Sequence, residues 1–149
     1  MKGLVQRVSQ ASVSVHLKEI ARINNGLLVL LGIFKKDTKD DVLKVCKKIL
    51  NLRIFNDSND KIHYNIQDIK GEILLISQFT LCSNTKKGNR PSFIEAMPPI
   101  EAQNLFEMVK KELSLYVKTK VGQFGAMMSV SLTNEGPMTI IINTRDDNK

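Results

Sequence analysis

One run of residues, 73–81, limits most strongly what this chain can fold into. It begins with four consecutive apolar residues, 73–76, a pattern typical of a strand that is buried on both faces. It then becomes polar at Ser77, Gln78 and Thr80. Because a buried strand gives its last residues a rigid support, chemistry is often found where such a strand ends. A core strand that ends in an ordinary polar turn has the same pattern, so this run alone leaves both interpretations open.

The polar end of this run supplies groups suited to one kind of chemistry. If the chain stays extended, Ser77 and Phe79 share one face, while Gln78 and Thr80 share the other. Hydroxyl, amide and backbone groups can stabilise the oxyanion that develops when an activated ester is attacked. The sequence therefore predicts a candidate site at residues 77–80, with an activated ester as the class of substrate that it fits.

Histidine is scarce, and this limits the mechanisms that the chain can use. Its two histidines, His16 and His63, lie in segments with no other catalytic signal. A serine–histidine–acid triad would require one of them to reach Ser77, Ser83 or Thr80. The glycine patterns typical of nucleotide binding are absent, and so is any clustering of metal ligands. We therefore expect neither a cofactor nor a metal ion.

The length and the cysteine count bound the class of protein. A chain of 149 residues is about the size of one domain, so we expect a single domain over 1–149, with a frayed polar tail at 144–149. Two cysteines are too few for a disulfide framework, which makes the reducing cytoplasm the simplest location. No apolar run approaches the roughly 20 residues that a membrane helix needs, and we expect no membrane association.

The periodicity of apolar residues predicts two main helices and many strands. Thr38 and Asp41 resemble a capping box before the first helix, and prolines at 98–99 open the second. Residues 26–32 predict a second buried strand, preceded by a tight turn at 24–26. Further strands are predicted at 2–9, 121–124, 128–133 and 137–143. The expected fold is a mixed α/β domain, with a largely antiparallel sheet or partial β-barrel and two main helices packed outside.

The net charge of +7 favours a polyanionic partner. Lys86, Lys87 and Arg90 form a compact basic loop, residues 86–90, just after the polar run, and it could hold a phosphate backbone. An alternative function is therefore a basic RNA-binding module without catalysis. With six phenylalanines, two tyrosines and no tryptophan, the chain has no paired strand aromatics of the kind that stack bases, which argues against that alternative.

Two motifs, taken together, resemble a known family. Residues 77–80 (Ser-Gln-Phe-Thr) and 134–139 (Asn-Glu-Gly-Pro-Met-Thr) are similar to the two signature motifs of the D-aminoacyl-tRNA deacylases. Glu135 departs from the aspartate that we expect there. The resemblance covers residues 1–143 and extends through blocks at 6–8, 11–13, 26–32, 53–55 and 90–93.

The resemblance implies a homodimer that hydrolyses the ester between a D-amino acid and the terminal adenosine of tRNA. It also implies a cis bond at Gly136-Pro137, a segment that enters the site of the other subunit and rejects L-amino acids while glycine passes. Met138 and Thr139 belong to the same motif, and Arg7 would hold the segment in place.

The role of Thr80 stays open between nucleophile and pocket wall. Because no base is visible beside it, we favour the wall, and the 2′-OH of the terminal ribose then assists the attacking water. Ser77, Gln78 and Phe79 would line the pocket, mainly through backbone groups. An ordinary esterase or peptide hydrolase is a further alternative, which the missing base disfavours.

Overall fold

The computed structural model describes residues 1–86 and 88–145. Within them lie eight strands, two α-helices and one 3₁₀ helix. In chain order these elements are β1 (Lys2–Val15), β2 (Lys18–Ile23), β3 (Gly26–Gly32), α1 (Lys39–Asn51), β4 (Phe55–Asn56), β5 (Ile62–Tyr64), β6 (Glu72–Ser77), the 3₁₀ helix (Phe79–Cys82), α2 (Pro99–Ser114), β7 (Lys118–Val121) and β8 (Ser129–Asn143).

Six of these strands form one mixed sheet organised around β1. One edge of β1 pairs antiparallel with β8, and the other edge pairs antiparallel with β3 and then β2. β6 runs parallel to β3, and β7 runs parallel to β6. The sheet then curls until β7 lies beside β2, where the ammonium group of Lys120 donates to the carbonyl oxygen of Arg22. The predicted mixed sheet with a partial barrel and two outer helices is confirmed.

The tight turn predicted at residues 24–26 is present as a bend at Asn24 and Asn25. β2 and β3 follow one another along the same edge of β1, so this segment is a bend within an edge. The hairpin turn lies earlier, at His16 and Leu17, which have φ angles of 48° and 64°. Gly26 is needed for another reason: a Cβ there would lie 1.9 Å from the carbonyl oxygen of Glu72, because β3 and β6 approach closely.

Three predicted strand boundaries are wrong. β1 continues to Val15, because the ladder with β8 absorbs the exposed pair Ser9 and Gln10 as a register shift. β8 is one continuous strand where we predicted two, since its central residues form a bulge against β1. β7 lies at Lys118–Val121, earlier than predicted.

The core has two parts, on opposite faces of β3 and β6. Ile73 and Leu75 pack toward α1 and α2, whereas Leu74 and Ile76 pack inside the barrel. All four are at most 1% exposed, which confirms the strand buried on both faces. α2 begins at Pro99 as predicted and ends at Ser114, so Tyr116 lies beyond the helix end, and it is 58% exposed.

The described part of the C-terminal segment is held in place at Thr144, further along the chain than predicted. We predicted fraying from Thr144, but this residue is buried, and its hydroxyl donates to Asp41 Oδ1 at 2.6 Å. Asp41 also closes the predicted capping box with Thr38 at the start of α1. Residues 146–149 lie outside the described part of the chain. No helix in the described ranges is long and apolar enough to cross a membrane.

Candidate active site

The end of β6 turns sharply, which changes the expected placement of its polar residues. The backbone N–H of Gln78 donates to the carbonyl oxygen of Leu31 at 2.8 Å, and the 3₁₀ helix then begins. The predicted alternation of side chains over 77–80 is therefore wrong. The backbone N–H groups of Phe79 and Thr80 donate to no other described residue, as expected for the first turn of a 3₁₀ helix.

A cleft of about 800 Å³ opens beside this turn. Ser77, Gln78 and Phe79 form part of its wall, and the rest is largely apolar. That remainder comes mainly from β3 and the segment that follows it, from residues 93–94 and 96–99 on the approach to α2, from residues 124–128 before β8, and from Val130 in β8. A cavity of this size can enclose a ligand as large as an aminoacyl nucleoside. Three of the four predicted residues at the end of β6 thus line one cleft.

Thr80 lies beside the cleft and is not among its lining residues. Its side chain is exposed, and its hydroxyl oxygen accepts a hydrogen bond from Gln78 Nε2 at 2.5 Å. Among the described lining residues there is no histidine and no carboxylate. Burial raises the pKa of the neighbouring Cys82 thiol to about 11, so this thiol stays protonated and is a poor nucleophile.

An exposed aromatic pair borders the cleft. Phe79 and Phe93 meet edge to face with ring centroids 5.1 Å apart, and they remain 56% and 38% exposed. Sequence reasoning missed this pair because fourteen positions separate the two rings and no strand joins them. Exposed rings at the mouth of a cleft are suited to stacking on nucleic-acid bases.

The basic loop begins and ends near the same cleft. Asn84 and Ser92 exchange backbone hydrogen bonds of 2.8 and 3.0 Å at its base, which directly follows the 3₁₀ helix and precedes Phe93. Lys86 and Arg90 of the basic loop are exposed. The predicted tRNA-binding residue Lys87 lies outside the described residues.

The second motif forms a bulge in β8, which we call the Gly-Pro bulge (residues 134–139). The register between β1 and β8 shifts here, and Gly136 and Pro137 are exposed and joined by a cis peptide bond. Gly136 has φ of 130°, and a Cβ added to it would lie 2.9 Å from Arg7 Nη2. Only glycine fits this position without strain.

The buried side chain of Arg7, on the neighbouring strand β1, holds the Gly-Pro bulge in place. It is only 9% exposed, and its Nε donates to the carbonyl oxygen of Glu135 at 2.9 Å. Its Nη1 donates to the carbonyl oxygen of Ile54 at 2.6 Å and to Asn56 Oδ1 at 3.2 Å. One guanidinium group therefore joins the bulge to the segment that leads into β4, a geometry that suits its rigid fork of donors.

Asn134 is a further support, which sequence reasoning did not assign. Its Oδ1 accepts from the backbone N–H of Met138 at 2.9 Å, and its Nδ2 donates to Thr139 Oγ1 at 3.0 Å. The side chain thus spans the bulge from one end to the other. Its place at the first position of the motif was visible in the sequence, but only the fold supplied these partners.

The two motifs lie far apart within one chain. Ser77 of β6 lies level with Gly3 of β1, because both pair with Leu31 of β3. Gly136 lies beside Arg7, four residues further along β1. With strands about 4.8 Å apart and about 3.3 Å of rise per residue, Gly136 and Ser77 are separated by roughly 20 Å.

The comparisons with known proteins agree with the motifs. The family model described as D-Tyr-tRNA(Tyr) deacylase matches residues 4–143. The chain belongs to this family. It is 50% identical to a D-aminoacyl-tRNA deacylase of Aquifex aeolicus, over 98% of this chain and 99% of the relative. It is 46% identical to one of Nitratiruptor sp., over 97% and 99%. The predicted family, a family of hydrolases that act on ester bonds, is confirmed.

Solved structures support the same fold. The structure of a protein named c-Myc DNA Unwinding Element Binding Protein superposes with a TM-score of 0.92 at 40% identity, covering 97% of this chain and 99% of that one. A probable eukaryotic D-amino acid tRNA deacylase superposes with a TM-score of 0.81 at 15% identity, covering 95% and 97%. At that low identity the second likeness supports the fold alone.

Within residues 1–86 and 88–145, no group of three or more His, Cys, Asp or Glu side chains could hold a metal ion.

Proposed function

We propose that this protein hydrolyses the ester that joins a D-amino acid, or glycine, to the 3′-terminal adenosine of tRNA. The observation that carries the proposal is the cleft beside Ser77, Gln78 and Phe79, in a chain of the D-Tyr-tRNA(Tyr) deacylase family. The free backbone N–H groups of Phe79 and Thr80 are donors suited to a developing oxyanion. Since charged tRNA is made where translation runs, the cytoplasm is the location that we expect.

The proposed site is completed by a second copy of the chain. Within one chain the Gly-Pro bulge lies about 20 Å from Ser77, too far to touch a substrate in the same cleft. The outer edge of β8 pairs with no described strand, and Ile141 on this strand is 66% exposed. A long unpaired edge with exposed apolar residues is a surface that native proteins cover. In the proposed homodimer, Gly136-Pro137 of each subunit enters the cleft of the other.

Chirality would be read by the backbone of that segment. Carbonyl oxygens of Gly136 and Pro137 would bind the α-amino group, while Met138 and Thr139 keep the segment tied to Asn134. An L side chain would then collide with the backbone, and a D side chain would point away from it. Glycine has no side chain and would pass. The support from Arg7 matters because rejection by collision requires a rigid obstacle.

Water is the proposed nucleophile, with the 2′-OH of the terminal ribose as its assistant. The hydroxyl of Thr80 faces Gln78 Nε2, outside the lining of the cleft, which favours a supporting role for this residue. Replacing the 2′-OH by hydrogen should abolish turnover, whereas Thr80→Val should lower kcat only a few-fold, because it removes one hydrogen bond. Full activity on the 2′-deoxy substrate would contradict the mechanism.

The basic loop would hold the acceptor end of the tRNA. Lys86 and Arg90 are exposed close to where the chain enters and leaves the rim of the cleft, and Lys87 belongs to the same run. Positive side chains near the cleft would contact RNA phosphates and make binding weaker at high salt.

The deciding experiment compares D-Tyr-tRNA and L-Tyr-tRNA with the purified protein in the absence of added metal. We expect rapid loss of the D ester, while the L ester survives. Equal loss of both would indicate an unselective esterase and would overturn the chiral filter. Survival of both would overturn hydrolysis.

A nucleic-acid-binding protein without catalysis is the second candidate. The exposed Phe79–Phe93 pair and the basic loop favour it, and one protein of similar structure is named for binding DNA. This candidate predicts retention of charged tRNA on the protein with no release of free amino acid, which the same assay measures.

A further inference from the structure

Lys35 is the one charged residue among the described residues that line the cleft. It is exposed, and none of the ion pairs within residues 1–86 and 88–145 involves it. The surrounding wall is mostly apolar, with Ile33, Phe93 and Met97 among its members. A single cation beside apolar surface complements a ligand that carries a single anionic group.

The backbone of Lys35 is held firmly at this position. Its N–H donates to the carbonyl oxygen of Glu95 at 3.0 Å, and the N–H of Met97 donates to the carbonyl oxygen of Ile33 at 2.9 Å. The segment that leaves β3 is thus tied to the segment that leads into α2. A cation carried on a fixed backbone loses less entropy when it binds an anion than one on a mobile loop.

The chemistry of the proposed substrate supplies one matching group. At the terminal nucleotide of an aminoacylated tRNA the adenine, the ribose and the ester are neutral, the α-amino group is positive, and the phosphate on the 5′ oxygen is negative. We propose that Lys35 binds this 5′-phosphate and so orients the terminal adenosine, with its ester toward Ser77 and Phe79. This inference rests on the proposed function and adds a positioning residue to it.

The spacing along the sheet is compatible with this assignment. Ser77 pairs with Leu31 across about 4.8 Å, and Lys35 follows Leu31 by four residues, or at most about 14 Å of chain, so the two backbones lie roughly 15 Å apart at most when these steps are at right angles. The flexible four-carbon stem of a lysine and one ribose can together span such a distance. The basic loop, on the other side of Phe93, would then contact phosphates further from the ester.

The test uses two small substrates, the D-tyrosyl 3′-ester of adenosine 5′-monophosphate and the same ester of adenosine. The wild type should prefer the phosphorylated substrate about tenfold in kcat/KM, mainly through KM, because the phosphate is remote from the reacting atoms. Lys35→Met, which keeps the aliphatic stem, should remove that preference. Lys35→Arg should retain it.

Lys36→Met is the matched control, since Lys36 is an exposed neighbour that does not line the cleft. It should leave the preference unchanged. An equal loss on both substrates with Lys35→Met would indicate a general structural effect and would overturn the proposal. An unchanged preference for the phosphorylated substrate in Lys35→Met would overturn it as well.

A calorimetric titration separates this inference from the proposed function, because it requires no turnover. Adenosine 5′-monophosphate should bind the wild type about tenfold more tightly than adenosine, and Lys35→Met should abolish the difference. If neither ester is hydrolysed but this difference is found, hydrolysis fails and the phosphate site stands. If hydrolysis is found without any preference for phosphate, the proposed function stands and the role of Lys35 is refuted.

Discussion

The cleft beside Ser77 and the Gly-Pro bulge are built by different kinds of interaction. The cleft lies at the ends of β3 and β6, two neighbouring strands buried on both faces, and its shape comes from packed apolar side chains. The bulge lies on an edge strand. It is held by hydrogen bonds in which Arg7 donates to Glu135 and Asn134 both donates to Thr139 and accepts from Met138. Apolar packing produces an enclosure, whereas directional hydrogen bonds fix the backbone of an exposed projection. In the proposed site the enclosure would bind the ester, and the projection would reject one stereoisomer.

The largest expected effect comes from Gly136→Ala. The new Cβ would lie 2.9 Å from Arg7 Nη2 at a φ of 130°, so the bulge must shift. Because a displacement of about 1 Å in a positioning group can cost about 100-fold, we expect a loss of that order in D-Tyr-tRNA hydrolysis. Gly3→Ala is the control, since the nearest atoms to its Cβ are at 3.9 Å, and it should keep near-normal activity. Equal activity of the two variants would mean that the bulge has no part in the site.

Mixing two inactive variants tests whether the two regions meet between subunits. Gly136→Ala damages only the bulge, and Phe79→Ala damages only the cleft. A heterodimer of the two has one site with both lesions and one with neither, so random co-assembly should restore about a quarter of the wild-type activity. Co-expressed, affinity-purified heterodimers should recover about half of the wild-type activity, because one of their two sites is intact. If each chain acts alone, no activity will return.

Arg7→Met should weaken the bulge and the fold together. It removes the donors to Glu135 and Ile54, whose carbonyl oxygens then lose charged partners. We expect about 2–3 kcal/mol less stability in urea unfolding. Discrimination between D-Tyr-tRNA and L-Tyr-tRNA should also fall. Arg7→Lys should recover only part of both, because one ammonium group cannot reproduce the fork. If Arg7→Met discriminates between the two substrates as the wild type does, the hydrogen bonds of Arg7 are not needed for the rejection of L-amino acids.

The smallest expected effect concerns the other end of β6. The ammonium group of Lys118, 2.7 Å from Glu72 Oε1, lowers the pKa of Glu72, whose carboxylate also accepts from the N–H of Asn24. A carboxyl whose folded-state pKa is depressed stabilises the fold above its unfolded pKa, and that contribution disappears as the pH falls through the folded value. At neutral pH the free energy of unfolding of the wild type should therefore exceed that of Glu72→Gln by about 1 kcal/mol. The difference should vanish in acid below the depressed pKa, as followed by thermal unfolding. If the stability difference between the two proteins persists in acid, the charge of Glu72 is not its cause.

Local patterns carried much of the fold and part of the site. The buried strands at 26–32 and 73–76, the capping box at Thr38 and the helix start at Pro99 all depend on near neighbours in the chain. Both motifs were visible as short, unusual sequences. The tight turn predicted at 24–26 is a bend between two strands on the same edge of β1, and only the pairing of both strands with β1 shows this.

By itself the sequence determined which segments are buried, where the helices begin and which family the motifs resemble, since these follow from periodicity and residue type. Only the tertiary structure decided that Phe79 meets Phe93, that Arg7 also binds Ile54 and that Lys35 borders the cleft. These contacts join residues far apart in the chain. The register and curvature of the sheet set them, and both arise from the packing of the whole domain.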